Sequence, residues 1–193
     1  MLNGHPWIFS GAIERIEGAE DDIGVADVFD CKKTWLARGL YNSRSQIRLR
    51  LLTWQKEEID SEFFTRRLST AQAFRKRHLA ASTNAYRIVN AEGDFLPGLI
   101  VDRYADFLVC QFFTAGMALF KDDIAEALGA LEPSVAIFER SEGRVGDEEG
   151  LDPAIGVLRG DAPPEAITVE ENGYKFLVDI RRGQKTGFFG PAR

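Results

Sequence analysis

The chain has 193 residues, 45% of them hydrophobic, with 24 Lys and Arg against 30 Asp and Glu for a formal net charge of −6. That is enough apolar material for one large domain or two small ones, which excludes global disorder, and the acidic balance argues against nonspecific nucleic-acid binding through bulk charge. A membrane span of about 18 apolar residues and a secretory leader are both missing from the sequence, so no membrane partner and a cytoplasmic location are expected.

Charge is unevenly spread. Basic residues gather at Arg38 to Arg50, Arg66-Arg67, Arg75-Lys76-Arg77-His78 and Arg181-Arg182, leaving room for a local basic face. Cys31 and Cys110 lie far apart, and with only His5 and His78 beside them they fit no zinc spacing. Both cysteines read as core or strand residues, and no metal is expected.

Taken in order, residues 1 to about 55 read as a small all-β module. Gly4-His5-Pro6-Trp7 predicts a turn and Ile8 to Ile16 a strand, followed by short strands at Gly24 to Asp30, Trp35 to Tyr41 and Ile47 to Trp54. In the last of these, Ile47, Leu49 and Leu51 alternate with Arg48 and Arg50, which puts both arginines on one face. That face suits either solvent or phosphate, and Arg38 and Arg44 would extend it in the second case.

The spacing of Phe64, Leu68, Ala71 and Phe74 predicts a helix over Glu57 to Leu79, with Asp60 or Ser61 as its cap. Its basic last turn complements the carbonyl end of the helix dipole. Strands are then expected at Tyr86 to Asn90, Leu99 to Val101 and Phe107 to Phe113, a helix at Gly116 to Leu131, and a strand at Val135 to Glu139. Ser141 to Pro164 is acidic and rich in glycine and proline, and reads as an exposed excursion with one short strand at Ile155 to Leu158. Ile167 to Ile180 predicts a hairpin turning at Asn172-Gly173, a dipeptide suited to two consecutive positive φ angles. Beyond it, Gly183-Gln184-Lys185-Thr186-Gly187-Phe188-Phe189 brackets a polar triplet between glycines, as suits the lip of a polar ligand pocket.

Several of these stretches together resemble a known family. They are Gly4-His5-Pro6-Trp7-Ile8-Phe9-Ser10-Gly11-Ala12-Ile13, Ala37-Arg38-Gly39-Leu40-Tyr41-Asn42 with Ser45, Ile47 and Arg50, and Leu96-Pro97-Gly98-Leu99-Ile100-Val101-Asp102-Arg103-Tyr104. Glu139-Arg140-Ser141, Glu149-Gly150-Leu151, Glu171-Asn172-Gly173 and the Gly183 to Phe189 loop continue the pattern. The chain thereby resembles the bacterial class I methyltransferases that use S-adenosylmethionine to methylate carbon 5 of a cytosine in large-subunit ribosomal RNA.

The resemblance implies an α+β fold: an N-terminal PUA-like β-barrel, named for pseudouridine synthases and archaeosine transglycosylases, followed by a strand-strand-helix-strand-strand domain. The expected divisions are 1–58 for the PUA-like RNA-binding domain with its first strand missing, 59–80 for a connecting helix, 81–183 for the central domain and 184–193 for the start of a truncated methyltransferase domain. The C-terminal Rossmann-like methyltransferase domain is expected to be absent, and with it the donor-site glycines and the cysteine nucleophile. No catalytic residue is therefore expected in the chain. RNA, from the large ribosomal subunit, is the implied partner, with Arg38, Arg44, Arg48 and Arg50 as contacts. Gln184, Lys185, Thr186 and Phe188 are the implied S-adenosylmethionine contacts in the complete family enzyme, with no cofactor expected for this chain alone. The preferred expectation is an RNA-binding and positioning portion of such a methyltransferase that lacks catalysis. Its rivals are a free-standing PUA-domain RNA adaptor and a remnant that self-associates through unpaired strand edges.

Overall fold

The computed structural model describes residues 5–18, 22–80, 82–142 and 149–183. Four strands build the first layer: β1 (Trp7–Ile8), β2 (Ile23–Phe29), β3 (Trp35–Asn42) and β4 (Leu49–Thr53), antiparallel throughout in the order β1-β4-β3-β2. Among the described residues this is an open sheet, where a barrel is expected. The strand expected over Ile8 to Ile16 stops after Ile8, because Ser10–Ala12 forms a 3-10 turn whose Ser10 N–H donates to the Gln46 carbonyl at 3.0 Å.

Helix α1 (Ser61–His78) links this sheet to the second unit. Its N-cap is Asp60, whose side chain accepts from the Phe63 amide at 2.8 Å, satisfying one of the donors that a helix start leaves open. Phe63, Phe64, Leu68, Ala71 and Gln72 form its buried face. The periodic reading agrees with the helix at Asp60, Phe64, Leu68 and Ala71, because capping and amphipathic spacing are both local, but the helix starts at Ser61 and not Glu57, and Phe74 is exposed.

The second unit contains three strands before its helical crossover, as the residue pattern predicts and one more than the strand-strand-helix-strand-strand order implied by the resemblance: β5 (Ala85–Asn90), β6 (Leu99–Tyr104) and β7 (Phe107–Phe112). The single predicted helix is broken into α2 (Ala115–Ala118), capped by Thr114, and α3 (Lys121–Leu131). Two strands follow, β8 (Ala136–Ser141) and β9 (Ala154–Arg159), completing a five-stranded sheet in the order β5-β6-β7-β8-β9. The sheet is mixed. Its β7/β8 pair is parallel, so α2 and α3 form a β-α-β crossover, the connection from which Rossmann-like sheets are built. A separate hairpin of β10 (Ile167–Glu171) and β11 (Tyr174–Val178) turns at Asn172 (φ 52°) and Gly173 (φ 84°), as the dipeptide predicts.

The two units share one core. Leu40 and Leu52 from the first sheet join Phe63, Phe64 and Leu68 of α1 and the buried residues of the five-stranded sheet in a single apolar cluster. Gly116 makes this possible on the α2 side, since a Cβ there would lie 2.9 Å from the Leu40 Cβ. The opposite face of the first sheet carries its own small cluster around Ala37, Leu49 and Leu51. Strand β4 is consequently buried on both faces.

Candidate nucleic-acid interface

The four arginines singled out in the sequence do not form one face. Arg50 turns inward from β4, with its side chain 9% exposed, and its Nη2 donates to Glu149 Oε1 at 2.8 Å while Nη1 donates to Oε2 at 3.2 Å. The same carboxylate accepts from Ser45 Oγ at 2.6 Å and from Asn42 Nδ2 at 3.2 Å, and Asn42 Nδ2 also donates to the Glu149 carbonyl at 2.8 Å. A buried charge that gathers this many partners has the hydrogen bonds needed to offset its desolvation. Strand β4 begins at Leu49 and leaves Arg48 in the preceding loop, so the two arginines expected on one strand face part company, and Arg50 points from β4 toward the second unit instead of solvent.

Arg38 is also occupied. It sits opposite Asp27 across the β2/β3 pair, donating from Nε to Oδ1 at 2.8 Å and from Nη2 to Oδ2 at 3.1 Å. Its Nη1 reaches the Glu57 carbonyl at 2.9 Å and the Glu58 carboxylate at 2.8 Å. Asp27, followed by Glu58, holds the guanidinium well above its usual pKa, and the Arg38 hydrogen bond holds the Asp27 carboxyl below the usual carboxylate range despite an opposing contribution from burial.

Arg44 and Arg48 remain at the surface, in the loop between β3 and β4. The Arg44 side chain is 64% exposed, with only a long 3.7 Å approach to Asp22. Its stem runs over Gly150, where a Cβ would lie 3.3 Å from Arg44 Cδ, and the Arg44 amide donates to Asn42 Oδ1 at 2.9 Å. Arg48 is half-buried and makes a long 3.5 Å contact from Nη1 to the Asn42 carbonyl. Asn42 thus ties the base of this loop to Glu149. Sequence reading places Glu149 in an exposed acidic excursion; the only local sign of its burial is the Leu151 that follows it in an otherwise polar run.

The methyl-donor residues Gln184, Lys185, Thr186 and Phe188 lie outside the described residues. Cys110 is fully buried in β7, and desolvation pushes its thiol far up from the usual range, while Cys31 is exposed beside β2. A thiol held protonated inside a sheet is not a nucleophile. No helix among the described residues is long and apolar enough to cross a membrane.

Comparison with known proteins places this geometry. Residues 1–54 match the family model of the PUA-like domain. The chain is 47% identical over 188 residues to Ribosomal RNA large subunit methyltransferase I of Photobacterium profundum, covering 96% of this chain and 47% of that protein. It is likewise 47% identical over 191 residues to the protein of that name from Aeromonas salmonicida, covering 98% and 48%. Among solved structures, a protein described as a SAM-dependent methyltransferase from Streptococcus mutans shares 21% identity with a TM-score of 0.76, over 95% of this chain and 46% of that one. A methyltransferase solved with SAH also shares 21% identity, with a TM-score of 0.79 over 97% and 47%. The chain spans about half the length of the relatives it matches.

Two expectations are corrected by these findings. The expected absence of a methyltransferase domain stands against matches to methyltransferases across nearly the whole chain and against a five-stranded mixed sheet with a β-α-β crossover. The expectation of a portion lacking catalysis, or of a free-standing adaptor without enzymatic activity, is likewise corrected: the relatives matched by sequence bear the name of a methyltransferase. The chain carries a PUA-like domain and is related to large-subunit ribosomal RNA methyltransferases.

Proposed function

We propose that the protein acts in S-adenosylmethionine-dependent methylation of large-subunit ribosomal RNA, at carbon 5 of a cytosine. The observation that carries this is the 47% identity to Ribosomal RNA large subunit methyltransferase I, maintained over 96% of the chain and running through both units. In this reading residues 1–58 form the RNA-contacting part, 59–80 the connecting helix, 81–183 the central part and 184–193 the start of a methyltransferase domain. Arg44 and Arg48 are the phosphate contacts. Arg38 and Arg50 act behind them, by holding β2 to β3 and the first sheet to the segment at Glu149. Gln184, Lys185, Thr186 and Phe188 are the donor-side residues. The nucleophile that cytosine-5 chemistry requires is assigned to neither Cys31 nor Cys110.

The test is to delete the gene that encodes this chain and measure 5-methylcytidine in the large-subunit ribosomal RNA by mass spectrometry. Loss of methylation at one cytosine, restored by a plasmid copy, is expected. An unchanged 5-methylcytidine content would overturn the reading.

A further inference from the structure

A second feature of the surface has no part in the arginine network. Trp54, at the end of β4, and Phe95, in the turn between β5 and β6, meet edge to face with ring centroids 6.1 Å apart. The Arg67 guanidinium, from α1, lies over the Phe95 ring at 5.6 Å and over Phe63 at 5.2 Å. Three elements distant in sequence therefore converge on one aromatic ring. That ring is not buried: Phe95 is 49% exposed.

The backbone beneath it is strained. Phe95 has φ 56° and ψ 32°, the left-handed region that a bulky residue avoids, and Ala91 at the other end of the same turn has φ 44°. The turn is held there from several sides. The Phe95 amide donates to the Glu92 carbonyl at 3.2 Å and the Leu96 amide to the Ala91 carbonyl at 3.0 Å. Asp94 Oδ2 accepts from the Asn90 amide at 2.6 Å and from Arg75 at 2.5 Å, and Glu92 accepts from Trp7 Nε1 at 2.9 Å. If the ring only filled space at the junction, it would be expected to turn inward, and a glycine would meet the backbone geometry without strain. Instead the turn presents a half-exposed aromatic ring, with a second aromatic meeting it edge to face and the Arg67 cation over the ring.

From this we infer that Phe95, Trp54 and Arg67 form a stacking site for an unpaired RNA base. An exposed ring offers a π-face that any base can cover, and a flanking guanidinium suits both the base plane and a neighbouring phosphate. Arg67 is held in place for this role, since its Nη2 also donates to the Leu52 carbonyl at 3.1 Å. The site deepens the RNA-directed function proposed above and rests on it. It adds sequence-tolerant grip on a single-stranded segment, separate from the phosphate contacts at Arg44 and Arg48.

The test uses the whole 193-residue chain and fluorescence anisotropy with two labelled probes, a cytidine oligoribonucleotide of about 12 nucleotides and an abasic ribose-phosphate strand of the same length, a span typical of single-strand sites. Wild type is expected to prefer the cytidine probe. Phe95→Gly should weaken that probe about tenfold, leave the abasic probe unchanged, and melt no lower than wild type because glycine relieves the left-handed strain. Phe95→Leu keeps an apolar side chain and should also lose the preference, which decides the matter if the glycine variant folds poorly. Wild-type affinity for the cytidine probe in both variants would overturn the stacking site, as would failure of wild type to distinguish the probes. The ribosomal RNA reading stands or falls separately, on the 5-methylcytidine measurement.

Discussion

Arg50 and Glu149, 99 residues apart in sequence, form a bidentate ion pair at 2.8 and 3.2 Å with side chains only 9% and 4% exposed. The pair joins the central strand pairing of the first sheet to the segment that leads into β9. Because Ser45 and Asn42 also donate to this carboxylate, removing the arginine leaves a buried charge short of its strongest partner. Arg50→Ala is expected to lose about 3–5 kcal/mol of stability in urea denaturation, and Arg50→Met with Glu149→Gln to lose less, since no lone charge is then buried. A loss below about 1 kcal/mol for Arg50→Ala would mean that the pair is as weak as a surface one.

Glycine at position 39 is required by close approach of β3 to β4. A Cβ there would come within 2.2 Å of the Arg50 carbonyl oxygen, whereas at Gly24 a Cβ meets nothing within 4 Å. Gly39→Ala should destabilise by about 1–3 kcal/mol or more, as overpacking does. Gly24→Ala should stay within about 0.5 kcal/mol of wild type. Equal midpoints for the two variants in thermal melts would contradict the close approach of β3 to β4 at Gly39.

Two groups make stability depend on pH, at opposite ends. The Asp27 carboxyl is depressed by Arg38, so its contribution is present above the unfolded carboxylate pKa and is lost as pH falls through the lower folded value. Asp27→Asn should flatten the acid limb of the stability profile. Tyr104 is pushed up to about 12 by burial, with Asp102 adding to the shift. Its contribution is complete below the unfolded tyrosine pKa of about 10 and is lost as pH rises toward the folded one. Urea midpoints between pH 9 and 12 should fall less in Tyr104→Phe than in wild type, and parallel profiles would refute the assignment.

Charge reversal of Arg44 and Arg48 separates phosphate contact from packing. The double variant Arg44→Glu with Arg48→Glu should weaken binding to a large-subunit ribosomal RNA transcript and make the log–log salt dependence shallower by about 1.4, at roughly 0.7 per lost contact on single-stranded RNA. An unaltered slope would show that the loop between β3 and β4 does not touch phosphate.

The two thiols should differ sharply in reactivity. Cys31 is exposed, and Cys110 is fully buried with its thiol pushed up by desolvation. An aromatic disulfide reagent at pH 8 is expected to modify one thiol per chain rapidly, and none rapidly in Cys31→Ser. Fast modification of two would mean that β7 opens readily.

Local pattern was enough for several elements. The Asp60 cap and the spacing of Phe64, Leu68 and Ala71 place α1, and the Asn172-Gly173 pair places the last hairpin. Each depends on neighbours within about a turn of helix or a strand length, which is the range over which sequence periodicity carries information. Similarity to ribosomal RNA methyltransferases is likewise carried by short motifs along the chain.

Tertiary structure decided what those faces meet. Arg50 looks like Arg48 in sequence, yet one is enclosed by Glu149 and the other is only half-buried, because the first sheet has a second unit packed on its polar side. Glu149 lies in a stretch whose composition predicts exposure, and it is buried only because Arg50, Ser45 and Asn42 converge on it from roughly 100 residues away. The meeting of Trp54, Arg67 and Phe95 is of the same kind. A charged or aromatic side chain is compatible with solvent or with a partner, and which it finds depends on long-range packing that no local window contains.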